Sequence, residues 1–193
     1  MGTSGSSGPD IPKDRRIKMN IRGLVLGCCL PALVAGGVAA QGKKFSATGK
    51  AGPVLSLTKM SPGDDPKHEV SLIRRLDKDV CSDADFGALD VDTLNVSDYK
   101  QGNGTQKGYR TFTHASGDKI FSAYEGETGA ERTPEGKTEY IFKGKWWYTG
   151  GTGKFQGITG SGTYKGRLGA DGVTYEWEGS YEVAKSAGTG GKP

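Results

Sequence analysis

The sequence predicts an all-β protein: a single antiparallel eight-stranded barrel that follows an export signal. Three features predict it. After residue 40 no stretch keeps a helical period of apolar residues, whereas several alternate with period two. Apolar runs and turn signals recur at the regular spacing expected of a barrel or sandwich. Seven glycines also fall within residues 150–166, GGTGKFQGITGSGTYKG, in a region that otherwise reads as strand. Glycine inside strands marks bulges, corners and close backbone approach, and a small closed barrel needs that coiling.

The N-terminal elements read as targeting, not fold. Residues 1–18, MGTSGSSGPDIPKDRRIK, resemble a cloning scar or an upstream extension. Residues 19–40 have a basic start, an apolar run from Leu24 to Val38, and the small-residue ending Val38-Ala39-Ala40 before polar Gln41. That is the layout of a secretory signal peptide cut after Ala40. The run is too short and too broken, by Gly27, Pro31, Gly36 and Gly37, to suit a spanning helix. A lipoprotein site at Cys28 would have only a short apolar stretch before it, and the Arg15-Arg16 pair is followed by Lys18 where a twin-arginine signal wants an apolar residue. The expected location is therefore secreted or periplasmic, with no membrane contact after cleavage. Removing the five basic and two acidic residues of 1–40 leaves 21 basic and 20 acidic residues, so the mature charge is near neutral and nothing favours nucleic acid. Of the three cysteines only Cys81 lies after residue 40, which excludes a disulfide within the mature chain and makes a buried, inert thiol the simplest expectation.

The strands follow in order within 41–183, one domain without an internal boundary. Phe45–Thr58 is the first, interrupted at Gly52-Pro53. His68–Leu76 and Ala88–Tyr99 are the second and third. Lys107–Ala115 and Asp118–Glu127 form a hairpin about Ser116-Gly117-Asp118. Thr138–Thr149 carries Tyr140, Phe142, Trp146 and Tyr148 on one face. Gly160–Leu168 and Val173–Val183 form the last hairpin, about Gly169-Ala170-Asp171-Gly172, where Gly and Asp supply positive φ. Val173–Val183 alternates most clearly and places Tyr175, Trp177 and Tyr181 on one inner face. Residues 60–69 and 128–136 read as loops. Arg74-Arg75 and Lys43-Lys44 read as solvated strand ends. The tail 184–193 is glycine-rich and expected to be disordered.

The glycine-rich stretch decides between a phosphate loop and a barrel corner. Gly151-Thr152-Gly153-Lys154 is a fragment of a phosphate-loop motif, but Phe155 follows the lysine, and glycine every third residue cannot open a stable helix. No nucleotide or other cofactor is expected. Residues 150–164 instead resemble the G-G-[ST]-G-x-F-x-G-x-x-G signature of allene oxide cyclase-like and dirigent-like barrels, which are calycin-like in outline, and in particular their small secreted bacterial members without assigned function. The resemblance implies an eight-stranded antiparallel barrel in which Gly150, Gly151, Gly153, Gly157, Gly160 and Gly162 build a structural turn late in the chain. It also implies an apolar barrel cavity, association into a homo-oligomer, and either ligand binding or the guided cyclisation or coupling of a bound substrate. The catalytic residues of those families do not map onto this sequence.

Candidate site residues follow from the inner face. Trp146, Tyr148, Phe155, Tyr164, Tyr175, Trp177 and Tyr181 are expected to line a cavity for a small apolar or aromatic molecule, the partner this fold suits best. The same residues could fill the barrel as plain core, because eight strands enclose little more than their own side chains; a filled structural or interaction barrel is then the alternative. Trp147 lies opposite Trp146. Glu125 and Glu127, beside Tyr124 and Gly126, are weak candidates for general acid or base work if buried, against the simpler reading of a solvated strand face. His68, with Asp64 and Asp65 close by, and His114, near Ser116, lack metal-ligand or triad spacing, so no metal is expected. Asn95-Val96-Ser97 and Asn103-Gly104-Thr105 match the glycosylation sequon, relevant only in a eukaryotic secretory host.

Overall fold

The computed structural model of the chain describes residues 42–169 and 172–184. The expected signal peptide, residues 1–18 with it, Cys28, Cys29, Ala170-Asp171 and all of the expected tail after Ala184 lie outside the described residues.

Eight strands form one closed barrel: β1 (Lys43–Met60), β2 (His68–Cys81), β3 (Ala88–Lys100), β4 (Asn103–Thr113), β5 (Lys119–Arg132), β6 (Thr138–Gly151), β7 (Ile158–Gly169) and β8 (Gly172–Val183). Each pairs antiparallel with the next, and β8 returns to β1 with Lys43 opposite Tyr181. β8 reaches only as far as Lys50 on β1, so the rest of that strand, Ala51–Met60, pairs with β2 alone.

All eight expected strands are present, with instructive differences at their ends. β1 runs on through Gly52-Pro53, where two register shifts against β2 make a bulge; a proline without an N–H donor is tolerated there. β2 continues beyond Leu76 to Cys81 because Asp77 and Asp79 face the interior and find partners there. β4 begins at Asn103, and β5 extends to Arg132 into the segment expected to be a loop, leaving only the turn Thr133–Lys137.

The glycine-rich stretch is a barrel corner. A single 3₁₀ turn, Gly153–Phe155, joins β6 to β7. Gly153 (φ +54°) and Gly157 (φ +74°) adopt the left-handed conformation that favours glycine, and a Cβ at Gly153 would overlap the Asp118 carboxylate. The corner turns Phe155 into the barrel, where it is 2% exposed.

Loops 82–87, 114–118 and 152–157 close one end of the barrel; loops 61–67, 101–102 and 133–137 surround the other. The first end is packed solid. Phe86, from the 82–87 loop, has no exposed surface and sits 5.3 Å from Phe45, 5.5 Å from Phe155 and 4.6 Å from Tyr181, ring centre to ring centre. Above this plug Trp146 and Trp177 meet edge to face at 5.2 Å. Edge-to-face pairs at this distance contribute beyond the area they bury.

Candidate ligand-binding cavity

Beyond the Trp146–Trp177 layer the barrel is hollow. A cavity of about 360 Å³ extends to the end ringed by Leu57, Lys59, Glu69, Gly102, Tyr140 and Leu168. That volume lies within the range of small-molecule sites.

Inward-facing glycines open this space. In β1, a Cβ at Gly49 would overlap the Tyr175 ring; in β7, one at Gly166 would overlap Phe142. At Gly126 and Gly144 a Cβ would run into the Tyr164 hydroxyl, and at Gly179 into Trp146. Each glycine gives its place to a ring from the next strand or the one beyond it. The rings lie against the barrel wall, and the centre stays open.

The strands between these aromatics carry polar groups inward. Asp77 and Asp79 of β2 are each 1% exposed. Arg75 donates through Nε to Oδ1 of Asp77 at 2.9 Å, and the Thr93 hydroxyl donates to its Oδ2 at 2.8 Å. Tyr175 donates its phenol to Oδ1 of Asp79 at 2.6 Å and itself accepts from Arg110. Nη2 of Arg110 is 3.2 Å from Oδ2 of Asp79, yet out of line for a hydrogen bond, so that oxygen is buried without one. Burial pushes the Asp79 carboxyl above the usual carboxylate range, against the opposing pull of Arg110. Burial alone would lower the Arg110 guanidinium, but Asp79, Tyr175 and Asp77 outweigh it and hold the charge firmly in place. Nearer the mouth, Tyr124 donates to Asn95 at 2.7 Å, and Tyr99, Gln106, Thr128 and Tyr164 form a second network. Burial pushes the Tyr164 phenol up to about 12.

Of the seven expected lining residues, Trp146, Tyr164, Tyr175 and Trp177 face the cavity. Tyr148, Phe155 and Tyr181 do not. They share the inner face but lie below the Trp146–Trp177 layer, where the Phe86 loop folds in and fills the barrel. Glu125 and Glu127 also depart from their candidate role: Tyr124 and Gly126 take the inward positions of β5, and the two glutamates stand on the outer wall. Glu125 pairs with Lys145 at 3.0 Å and Glu127 with Lys143 at 3.8 Å. Trp147 faces outward and is 37% exposed.

The histidines serve the two ends of the barrel. His68 is held between Asp64 at 2.5 Å and Asp98 at 2.7 Å, fastening the 61–67 loop to β3. His114, Ser116 and Asp118 come together on one turn, but the Ser116 hydroxyl donates to Asp118 and lies beside Nδ1 of His114, so the acid backs the serine and not the imidazole. A nucleophilic triad needs the opposite order. Cys81 is buried, and burial with Asp79 and Asp83 nearby pushes its thiol up to about 12; it is not a reactive thiol. Asn95 of the first sequon is buried inside the barrel.

Sequence reasoning missed Arg75, Asp77, Asp79, Thr93, Asn95 and Arg110. The alternation was in the sequence but pointed the other way: Leu72, Leu76 and Val80 share one parity in β2 and Arg75, Asp77 and Asp79 the other. The usual rule of apolar side chains inside turns that strand the wrong way round. Comparison with protein-family models, with curated proteins and with solved structures finds no match for this chain.

Proposed function

We propose that this chain is an exported barrel that binds a small apolar or aromatic molecule in its hollow half. The observation that carries this reading is the 360 Å³ cavity floored by Trp146 and Trp177 and walled by aromatic rings. Mostly apolar linings with a few convergent polar groups are the usual composition of ligand sites. The neutral fluorophore N-phenyl-1-naphthylamine tests it: one equivalent should bind with enhanced emission, and Thr128→Phe, which places a ring inside the cavity, should abolish that binding while the protein stays folded. Failure of the wild type to bind any such probe, together with a clean mass after extraction of protein taken from its own host, would sink the reading. Export is tested separately, by N-terminal sequencing of the same protein; a mature chain that does not begin near Gln41 overturns it.

One observation favours a second reading, an enzyme that guides cyclisation or coupling as the resemblance to allene oxide cyclase-like and dirigent-like barrels implies. The Tyr175 phenol lines the cavity and is backed by the buried Asp79 carboxyl at 2.6 Å. Such a pair can pass a proton to a bound substrate. On this reading the wild type biases the stereochemistry of phenoxy-radical coupling under a one-electron oxidant, and Tyr175→Phe does not; a racemic product from the wild type counts against it.

A further inference from the structure

The polar wall of the cavity is layered. Arg75 and Arg110 line it, whereas the carboxylates that neutralise them, Asp77 and Asp79, lie behind them and take no part in the lining. Four charged residues line the cavity, and three of them, Lys59, Arg75 and Arg110, are cations; Glu69, the fourth, is taken by Lys59 at 2.9 Å.

The donors of the two arginines are only partly spent. Arg75 uses Nε on Asp77, and Arg110 uses Nε on Thr93 at 3.3 Å and Nη2 on Asp79 and Tyr175. Among the described residues neither terminal nitrogen of Arg75, nor Nη1 of Arg110, has a hydrogen-bond acceptor. The Asp77 carboxylate, by contrast, already accepts from Arg75, Thr93 and the Gly52 amide. Both guanidinium groups lie against that one carboxylate, Arg75 at 2.9 Å and Arg110 at 3.7 Å, and both line the cavity, so the two cations are neighbours on its wall. The Phe112 and Tyr175 rings, 5.0 and 4.7 Å from Arg110, hold its plane. Guanidinium forks held in place are suited to a planar oxyanion.

We propose that the ligand is a small aromatic acid, with its carboxylate accepting from Arg75 and Arg110 and its ring against the Trp146–Trp177 floor. This rests on the ligand-binding reading above and adds the chemical class. The unspent guanidinium donors ask for an acceptor, and a carboxylate serves them better than a neutral oxygen because a hydrogen bond between two charged groups is about twice as strong.

A matched pair of probes separates the two ideas. 1-Anilinonaphthalene-8-sulfonate and N-phenyl-1-naphthylamine share one aromatic body and differ by a sulfonate. The anion should bind roughly tenfold tighter, the weight of one charge-assisted hydrogen-bonded pair. In the charge-neutral double variant Arg75→Gln/Asp77→Asn that advantage should shrink, with a circular-dichroism spectrum and melting curve like the wild type's certifying the fold; an undiminished advantage overturns the proposal. On the unaltered protein, benzoate should displace the bound sulfonate probe and benzyl alcohol should not. Equal or weaker binding of the anion, or displacement by both competitors alike, overturns the acid proposal and leaves the cavity reading standing. If neither probe binds, both fall together.

Discussion

The two halves of the barrel are built from the same eight strands and differ in what each strand sends inward. In β3 the inward residues run Leu89, Val91, Thr93, Asn95, Ser97 from the closed end to the open one. In β5 the series is Ile120, Ser122, Tyr124, Gly126, Thr128. In these two strands the aliphatic side chains stop near the Trp146–Trp177 layer, and small or polar ones, with Tyr124 among them, continue past it. The closed half therefore holds the fold together by dense aromatic packing, and the open half is kept empty by glycines that let rings lie on the wall. Stability and a binding space are thus allotted to different lengths of the same strands.

That division is open to measurement, beginning with the largest effect. Phe86→Ala in the plug should cost about 3–5 kcal/mol in denaturant unfolding, whereas Phe142→Ala beside the cavity, where one side of the ring is already unpacked, should cost less than half as much. Equal losses would break the comparison. Arg110→Met should cost about 3 kcal/mol, because it leaves Asp79 and Asp77 buried with one cation fewer; pairing it with Asp79→Asn should restore most of the loss. Asp79 alone has a signature in pH. Its folded pKa is raised above the unfolded value by burial, so its contribution is complete below the ordinary carboxylate value of 3.8 and is lost as pH rises through the folded pKa. The melting temperature of the wild type should therefore fall relative to Asp79→Asn as pH climbs above that value, and parallel curves would refute the assignment. Smallest of all, Glu125→Gln and Glu127→Gln on the outer wall should change stability by no more than about 0.5 kcal/mol and leave fluorophore binding unaltered.

How much of this was legible in the sequence depended on whether a strand obeys the apolar-inside rule. β8 obeys it, so Tyr175, Trp177 and Tyr181 were assigned to the interior from alternation alone, and β6 likewise gave Trp146 and Tyr148. The corner at Gly150–Gly162 was readable because glycine has few reasons to recur so densely within strands. β2 reverses the rule with Leu72, Leu76 and Val80 outside and two aspartates inside, and no local signal fixes its orientation; the partners that make Asp77 and Asp79 tolerable, Arg110 and Tyr175, come from β4 and β8. The boundary between packed and hollow halves was equally hidden. It depends on how far each strand has travelled along the barrel axis, which is a matter of register, and on the Phe86 loop turning inward, which alternation does not reach.

The barrel is a plain meander, and this governs how it can assemble. Each strand from β1 to β8 meets its sequence neighbour through a short turn, so the wall can grow hairpin by hairpin at little entropic cost. Only the seam between β1 and β8, which sets Lys43 opposite Tyr181, joins distant parts of the chain. That seam brings Phe45 to Trp177 and so completes the aromatic plug. Closing the seam therefore carries the largest chain-closure entropy of any pairing in the barrel, and is expected to come last. It also makes the order of strands expendable: a chain opened at the 133–137 turn and stitched across the seam would enclose the same hollow, with the seam's distant pairing turned into a local one.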